Sequence, residues 1–228
     1  MMRCRMTDLG QLLAAIRFGD SAFPSGAFAF SSGLEGAHRD GLVRDEDGVT
    51  AFAAEQLEGR WHRCDRVLLR RAWSEPDPTG ADALAEAVST MSVLREASRR
   101  AGAATLATFA ALVDSDSHFG VADYRCQVLA GTAHGHLPVA QAICLRAAGL
   151  TLETAETVAA WQVMSGITGA AVRLGIVGHL GAQRVSSALT PLLLYVLGCE
   201  PRGTPAGFTA YADIAAQRRG GGVRLFAS

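Results

Sequence analysis

Residues 151–174, TLETAETVAAWQVMSGITGAAVRL, carry an apolar stripe with the period of an α-helix. The stripe residues recur at steps of three and four, as one face of a helix requires. They are Leu152, Ala155, Ala159, Val163, Ile167, Ala170 and Leu174. Thr151 is placed to cap the start of this helix. Ser165, Gly166, Gly169 and Ala170 are small, so a neighbouring helix can approach closely there, and because glycine weakens a helix interior the two glycines need a packing or a functional reason.

The rest of the chain shows the same pattern in further segments. Breakers such as SEPDPTG at 74–80 separate them, and few stretches alternate as a strand requires. We therefore expect an all-α fold, a single domain of about ten helices over residues 9–218, with flexible ends at 1–8 and 219–228. The helices are predicted at about 8–18, 31–41, 46–59, 61–74, 80–91, 93–113, 121–133, 138–149, 151–174, 181–197 and 205–218.

Composition excludes several classes of function. The formal net charge of −1 gives no electrostatic reason to bind nucleic acid or an anionic membrane surface. No apolar run approaches the ~18 residues of a membrane span, and Asp8 interrupts any signal-peptide core, so a cytoplasmic location is expected. All 21 basic residues are arginines, which rules out a P-loop lysine or a lysine Schiff base. The five scattered cysteines form no CxxC pair and are expected to be small buried apolar residues in a reducing compartment.

The best metal candidate is the HGH sequence at 134–136. His134 and His136 flank one glycine, and Cys126 and Cys144 are close in sequence. Imidazole and thiolate suit a cation such as nickel, but the spacing matches no structural zinc site. The sequence therefore leaves two interpretations open, a weak metal site or a polar loop that joins two helices.

A charged helical segment, REASRRAG, spans residues 95–102. Arg95 and Arg99 lie four residues apart on one face, with no acid between them on that face. Such a like-charge pair costs a few tenths of a kcal/mol unless a negative group faces it. It is either a solvated face or a patch that meets a carboxylate or phosphate, at a protein interface or a helix end.

The segment GDSAFPSGAFAFSSGLEGA, residues 19–37, combines a rigid bend with aromatic side chains. Pro24 fixes one dihedral angle and Gly26 permits a left-handed turn. Ser32 and Glu35 have the spacing of a capping box for the next helix. Phe23, Phe28 and Phe30 either fill a gap between helices or anchor another protein.

These residues resemble a known family signature. LLAAIRFGDSAFPSGAFAFSSGLEGAHRDGLV, residues 12–43, is similar to the N-terminal signature of the urease accessory protein UreF family. The matching positions are Asp20, Ser21, Phe23, Pro24, Gly26, Ala27, Phe28, Ser31, Gly33, Leu34 and Glu35. The resemblance continues through REASRRAGAATLATFAAL, GHLPVAQAICLRAAGL and AAVRLGIVGHLGAQRVSSAL. The C-terminal RRGGGVRLFAS departs from the usual tail of the family, although Arg224, Leu225 and Phe226 match it.

The resemblance implies a non-catalytic chaperone for nickel insertion. It implies a homodimer that bridges UreD, also named UreH, to the GTPase UreG on apo-urease, with no tightly bound cofactor and only transient nickel. The partner-binding residues expected on this basis are Pro24, Gly26, Phe28, Phe30, Gly33, Glu35, Arg95, Arg99, Arg224, Leu225 and Phe226. The alternative is a helical metal- or ligand-binding protein, or an enzyme, with a pocket near His134 and His136.

Overall fold

The computed structural model describes residues 2–24, 32–112 and 120–206, with side chains from residue 9 onward. Within these ranges the chain forms ten α-helices, one π-helical segment and no strand, which confirms the all-α prediction. The α-helices are α1 (Met2–Gly19), α2 (Leu34–Arg39), α3 (Glu46–Glu55), α4 (Arg66–Ser74), α5 (Thr79–Val88), α6 (Ser92–Leu112), α7 (Val121–Leu129), α8 (Leu137–Ala147), α9 (Leu152–Arg173) and α10 (His179–Gly198). The helix predicted at 205–218 falls almost entirely outside the described residues.

Helix α9 is the centre of the bundle. It packs against α1, α3, α8 and α10, among others, and the predicted stripe faces the core: Ala155, Ala159 and Ile167 are buried. The predicted cap is also present, since the Thr151 hydroxyl accepts a hydrogen bond from the Thr154 N–H at 3.2 Å. Burial of this stripe removes apolar surface from water, and this packing stabilises the helices of the core.

A π-helical segment, Gln56–Asp65, joins α3 to α4 without a break. The sequence prediction of two separate helices, with a boundary near Arg60, is therefore wrong. The wider turns of the π-helix keep the backbone helical through Gly59 while Trp61 and Cys64 reach the interior. Such segments are rare, and they commonly occur where a helix must reorient its side chains.

The close approach of a neighbouring helix that the small residues of α9 allow does not occur at Gly166 within the described part of the chain. Among the described residues, nothing lies within 4 Å of the position that a Cβ of Gly166 would occupy. Gly166 and Gly169 instead line an open groove of about 840 Å³ between the end of α1, α9 and the start of α10. Trp161 and Leu180 border this groove, which we call the α9–α10 groove, and both are exposed.

A buried ion-pair network ties the end of α10 to α4 and α9. Arg66 is 1% exposed, and its guanidinium donates to the Val196 and Cys199 carbonyls at 2.7 and 2.8 Å. Both carbonyls lie at the C-terminal end of α10, and that of Val196 also accepts from the Cys199 N–H at 3.2 Å. Arg66 also donates to the Glu156 carboxylate at 2.8 Å, and Arg70 binds the same carboxylate. The network therefore both neutralises the charge of Arg66 and caps the C-terminal end of α10.

The described helices give no candidate for a membrane span, because none combines the necessary length with the necessary apolar character.

Candidate functional site

Three residues singled out in the sequence meet at one carboxylate, that of Glu86 on α5. Arg99 on α6 donates from Nε to Glu86 at 2.9 Å, and its Nη2 contacts the other carboxylate oxygen. His136 Nε2 lies 2.9 Å from Glu86. Arg95, one turn before Arg99, has its Nε 3.4 Å from Glu86. Together with His134, these residues form what we call the Glu86 cluster.

The arginines of the cluster also contact groups other than Glu86. Arg99 Nη2 lies 3.2 Å from His134 Nδ1. Because a guanidinium can only donate, His134 Nδ1 must accept, and the ring proton of a neutral His134 is then on Nε2. Arg95 Nη1 donates to the Ser89 carbonyl at 3.3 Å, at the C-terminal end of α5. Arg95 thus contacts a helix-terminal acceptor. Its own helix face carries no acid, and Glu86 on α5 supplies the carboxylate instead.

The HGH segment is held in place by Asp82 on α5. The Asp82 carboxylate is 1% exposed and accepts from the backbone N–H groups of His134, Gly135 and His136 at 2.6, 3.1 and 2.9 Å. A buried anion is stable here because it receives three N–H dipoles at the N-terminus of α8. Burial and the neighbouring Asp82 carboxylate raise the pKa of Tyr124. Asp82 therefore joins α5 to the segment that leads into α8.

Two glycines let this segment lie directly against α6. A Cβ placed on Gly102 would come within 2.0 Å of the Gly135 carbonyl oxygen. Gly135 itself has a φ of 77°, in the left-handed region that side chains rarely adopt. The close approach carries the backbone of 134–136 onto α6, one to two turns from Arg95 and Arg99.

The hydrogen bonds within the cluster define its protonation state. Burial opposes ionisation of Glu86, but hydrogen bonds from Arg99 and His136 outweigh it and lower the pKa of Glu86 to about 2. Burial lowers the pKa of His136, and the carboxylate of Glu86 only partly offsets this. The neutral His136 ring donates to Glu86 and accepts at Nδ1 from the Ser98 hydroxyl, 3.2 Å away. At neutral pH Glu86 is thus a carboxylate facing two guanidinium groups.

The described side chains around His134 and His136 form no set of metal ligands. Across the described ranges, three or more His, Cys, Asp or Glu side chains never converge in a way that could hold a metal ion. Cys126 is exposed, whereas Cys144 is buried, and burial raises the pKa of the Cys144 thiol. The Arg99 guanidinium next to His134 would also repel a cation.

Only part of the N-terminal candidate segment is described. Pro24 is exposed, and its carbonyl accepts from the Thr108 hydroxyl at 2.9 Å. Gly33 is the N-cap of α2 with a φ of 89°, and Glu35 lies in the first turn. The capping box predicted from Ser32 is therefore wrong, because α2 starts one residue later and has no side-chain cap. Gly26, Phe28, Phe30, Arg224, Leu225 and Phe226 lie outside the described residues.

Reasoning from the sequence missed the two acids that organise the site. Asp82 and Glu86 lie four residues apart in TGADALAEAV, so both project from the same side of α5. That spacing was the available signal, but it does not identify the helix that α5 faces. Only the packed structure shows that Glu86 meets α6 and that Asp82 meets the start of α8.

The chain is similar to proteins of one family. The family model UreF matches residues 43–190, more than half of the chain. The chain is 33% identical to the urease accessory protein UreF of Paenarthrobacter aurescens over 177 residues, which cover 76% of each protein. It is 33% identical to the protein of that name from Cereibacter sphaeroides (strain ATCC 17029) over 184 residues, and 27% identical to that from Trichodesmium erythraeum over 191 residues. These two alignments cover 80% and 81% of each protein. The family match includes all five residues of the Glu86 cluster.

Proposed function

We propose that this chain, which belongs to the UreF family of urease accessory proteins, is a scaffold for the maturation of urease. In this role it bridges UreD, also named UreH, to the GTPase UreG on apo-urease, and assists nickel insertion without catalysing a reaction. The observation that carries the proposal is the similarity to proteins named urease accessory protein UreF over about four fifths of both chains.

The chemistry of the Glu86 cluster supports a role without catalysis. A general acid or base works best when its pKa lies near the operating pH. Glu86 is instead held ionised, with a pKa of about 2. His136 is 1% exposed and has hydrogen-bond partners at both ring nitrogens. Neither group is prepared to exchange a proton with a substrate at neutral pH.

Exposed apolar surface supports a role in binding proteins. Trp161 and Leu180 on the α9–α10 groove are 43% and 69% exposed. A second stripe runs along α1, where Leu9, Leu12, Leu13 and Ile16 are all more than half exposed. Contiguous apolar patches of this kind are typical of surfaces that a partner covers. We propose that these exposed apolar surfaces contact a second copy of the chain, in a homodimer, and the accessory partners.

The proposal also includes a cytoplasmic location and transient contact with nickel rather than a tightly bound ion. The alternative, a metal- or ligand-binding protein or an enzyme with a pocket at His134 and His136, has less support. His136 is enclosed, and Arg99 occupies the space beside His134. A site built for a cation would not place a guanidinium there.

The experiment that tests the proposal is co-purification on tagged UreD. We expect UreD to retain UreG only when this chain is present, and to retain the chain itself. The proposal fails if UreG binds UreD equally well without the chain, or if UreD does not retain the chain.

A truncation after Arg219 tests the C-terminal residues in the same assay. We expect affinity for UreD to fall at least tenfold, about 1.4 kcal/mol, because Leu225 and Phe226 would no longer be buried against UreD. The far-ultraviolet circular dichroism should keep its helical shape. If the truncated chain binds UreD as well as the full chain does, these residues are not part of the contact.

A further inference from the structure

We propose that the outward side of the Glu86 cluster binds a carboxylate that an acidic segment of a partner protein presents. The binding groups are the guanidinium groups of Arg95 and Arg99 and the imidazole of His134. This inference rests on the scaffold function proposed above, because it states which chemistry one of the contacts of the scaffold uses.

Each of the three side chains keeps an unused donor. Arg99 uses Nε and Nη2 for Glu86 and His134, and Arg95 uses Nε and Nη1 for Glu86 and the Ser89 carbonyl. Among the described residues, Arg99 Nη1 and Arg95 Nη2 have no hydrogen-bond partner. The Nε2–H of His134 is likewise unused, because Nδ1 is the nitrogen that accepts.

These donors are accessible from outside the protein. The side chains of Arg95, Arg99 and His134 are 33%, 37% and 41% exposed. The shared carboxylate of Glu86 is less exposed, at 23% for its side chain. A group arriving from solvent therefore has more access to the two guanidinium groups and His134 than to the acid.

The charge of the cluster favours a carboxylate over a phosphate. Two guanidinium charges face one carboxylate, and His136 is neutral in the hydrogen-bond pattern described above. Arg100 and Glu96 form their own exposed pair at 3.5 Å, and the charge of Asp82 is directed at backbone N–H groups. One added carboxylate makes the site neutral, whereas a phosphate dianion beside Glu86 leaves excess negative charge.

The site is formed before any partner arrives. Glu86 holds Arg99 through two contacts, and Asp82 fixes the backbone at His134. Close approach of Gly102 to Gly135 sets the separation of α6 from the HGH segment. Because these side chains are already ordered, binding loses little conformational entropy.

The test is a fluorescence anisotropy titration with a fluorescein-labelled hexaglutamate peptide at low ionic strength. We expect saturable binding to the wild-type protein, and a Kd at least tenfold higher for the double variant Arg95→Gln, His134→Ala. Arg99 is left unchanged in this variant, so Glu86 keeps its main partner. The matched control is Arg100→Gln, which removes the same charge from the same helix and should change the Kd less than twofold.

The inference is overturned if wild-type protein does not bind the peptide, if Arg100→Gln weakens binding as much as the double variant, or if a hexaglutamine peptide binds equally well. The assignment of a carboxylate ligand would also be overturned if inorganic phosphate displaced the peptide at a concentration equal to that of the peptide carboxylates. If the melting temperature of the double variant is more than a few degrees below that of the wild type, His134→Ala alone replaces it, with an expected rise in Kd of at least threefold. No urease partner takes part, so a negative result here leaves the co-purification test of the scaffold unaffected.

Discussion

Asp82 on α5 accepts a hydrogen bond of 2.9 Å from the backbone N–H of His136, which lies 54 positions later in the chain. The two preceding N–H groups donate to the same carboxylate. A side chain that caps a helix is normally found at the N-cap position of that helix. Asp82 instead binds the N-cap residue His136 and the two residues before it, so it fixes the segment that leads into α8, while the Ser98 hydroxyl on α6 accepts from the Leu137 N–H at 3.1 Å.

Replacing Asp82 should therefore be costly. Asp82→Ala leaves three N–H groups without their acceptor, two of them in buried surroundings, and we expect the free energy of unfolding to fall by about 3 kcal/mol. Urea denaturation measures this. The control is Asp77→Ala, which removes an exposed carboxylate that accepts from the Thr79 N–H at 3.0 Å. That change should lower the free energy of unfolding far less than Asp82→Ala does, and equal losses for the two variants would contradict the assigned role of Asp82.

Two glycines on different helices should respond in opposite ways to alanine. Gly102→Ala forces a methyl group against the Gly135 carbonyl, and the resulting backbone shift should cost about 1–3 kcal/mol. Gly166→Ala meets open space within α9 and should raise the free energy of unfolding by up to about 1 kcal/mol, because alanine favours the helix. Thermal denaturation of both variants checks the pair. A stable Gly102→Ala protein would show that α6 and the HGH segment are further apart than described.

The buried network at Arg66 should depend on its acid. Glu156→Gln removes the negative charge that Arg66 and Arg70 share. Since an uncompensated charge then remains inside the protein, we expect a loss of about 3–5 kcal/mol. The comparison is Glu75→Gln, which breaks the exposed pair of Arg71 and Glu75 and should cost about 0.5 kcal/mol or less. If the two variants unfold at the same urea concentration, the network does not hold α10.

Glu86 should make stability depend on pH in the acid range. Its pKa is lowered to about 2 in the folded protein, below the ordinary value of about 4.3. The unfolded state therefore binds the proton first, and the contribution of Glu86 is present above about pH 4.5 and disappears as the pH falls towards 2. Wild type and Glu86→Gln should differ most near pH 6, and the difference should shrink between pH 5 and pH 2.5. A difference that stays constant over this range would contradict the assigned ion pairs, and Glu96→Gln, at an exposed pair, should follow the wild type throughout.

Much of the fold could be predicted because helical periodicity is local. The stripe on α9, the Thr151 cap and the proline in the first turn of α8 all follow from residues within one segment. The π-helix could not be predicted in this way, because the sequence near Gly59 is compatible with the end of a helix as well as with a widened helical turn. The start of α2 was misplaced because Ser32 and Glu35 have the spacing of a capping box, whereas the chain uses Gly33 as N-cap.

The candidate site was only half predictable for a related reason. Arg95, Arg99, His134 and His136 stood out by residue type. Their common partner Glu86 did not, because the contact depends on where α5 lies relative to α6 and the HGH segment. The groove beside Gly166 was not predicted either. Small residues allow a neighbouring helix to pack closely, but they do not show whether such a helix is present. Long-range packing decides both features, and local sequence patterns do not encode it.

The most direct test of the scaffold function is the nickel content of urease matured with and without this chain. Urease subunits would be co-expressed with UreD and UreG in cells that lack their own UreF-family protein, and nickel would be measured in the purified urease. With this chain present, we expect nickel per active site and urease activity to rise together by at least tenfold, while the chain alone, without UreD and UreG, gives no increase. Equal nickel content with and without the chain would contradict the account.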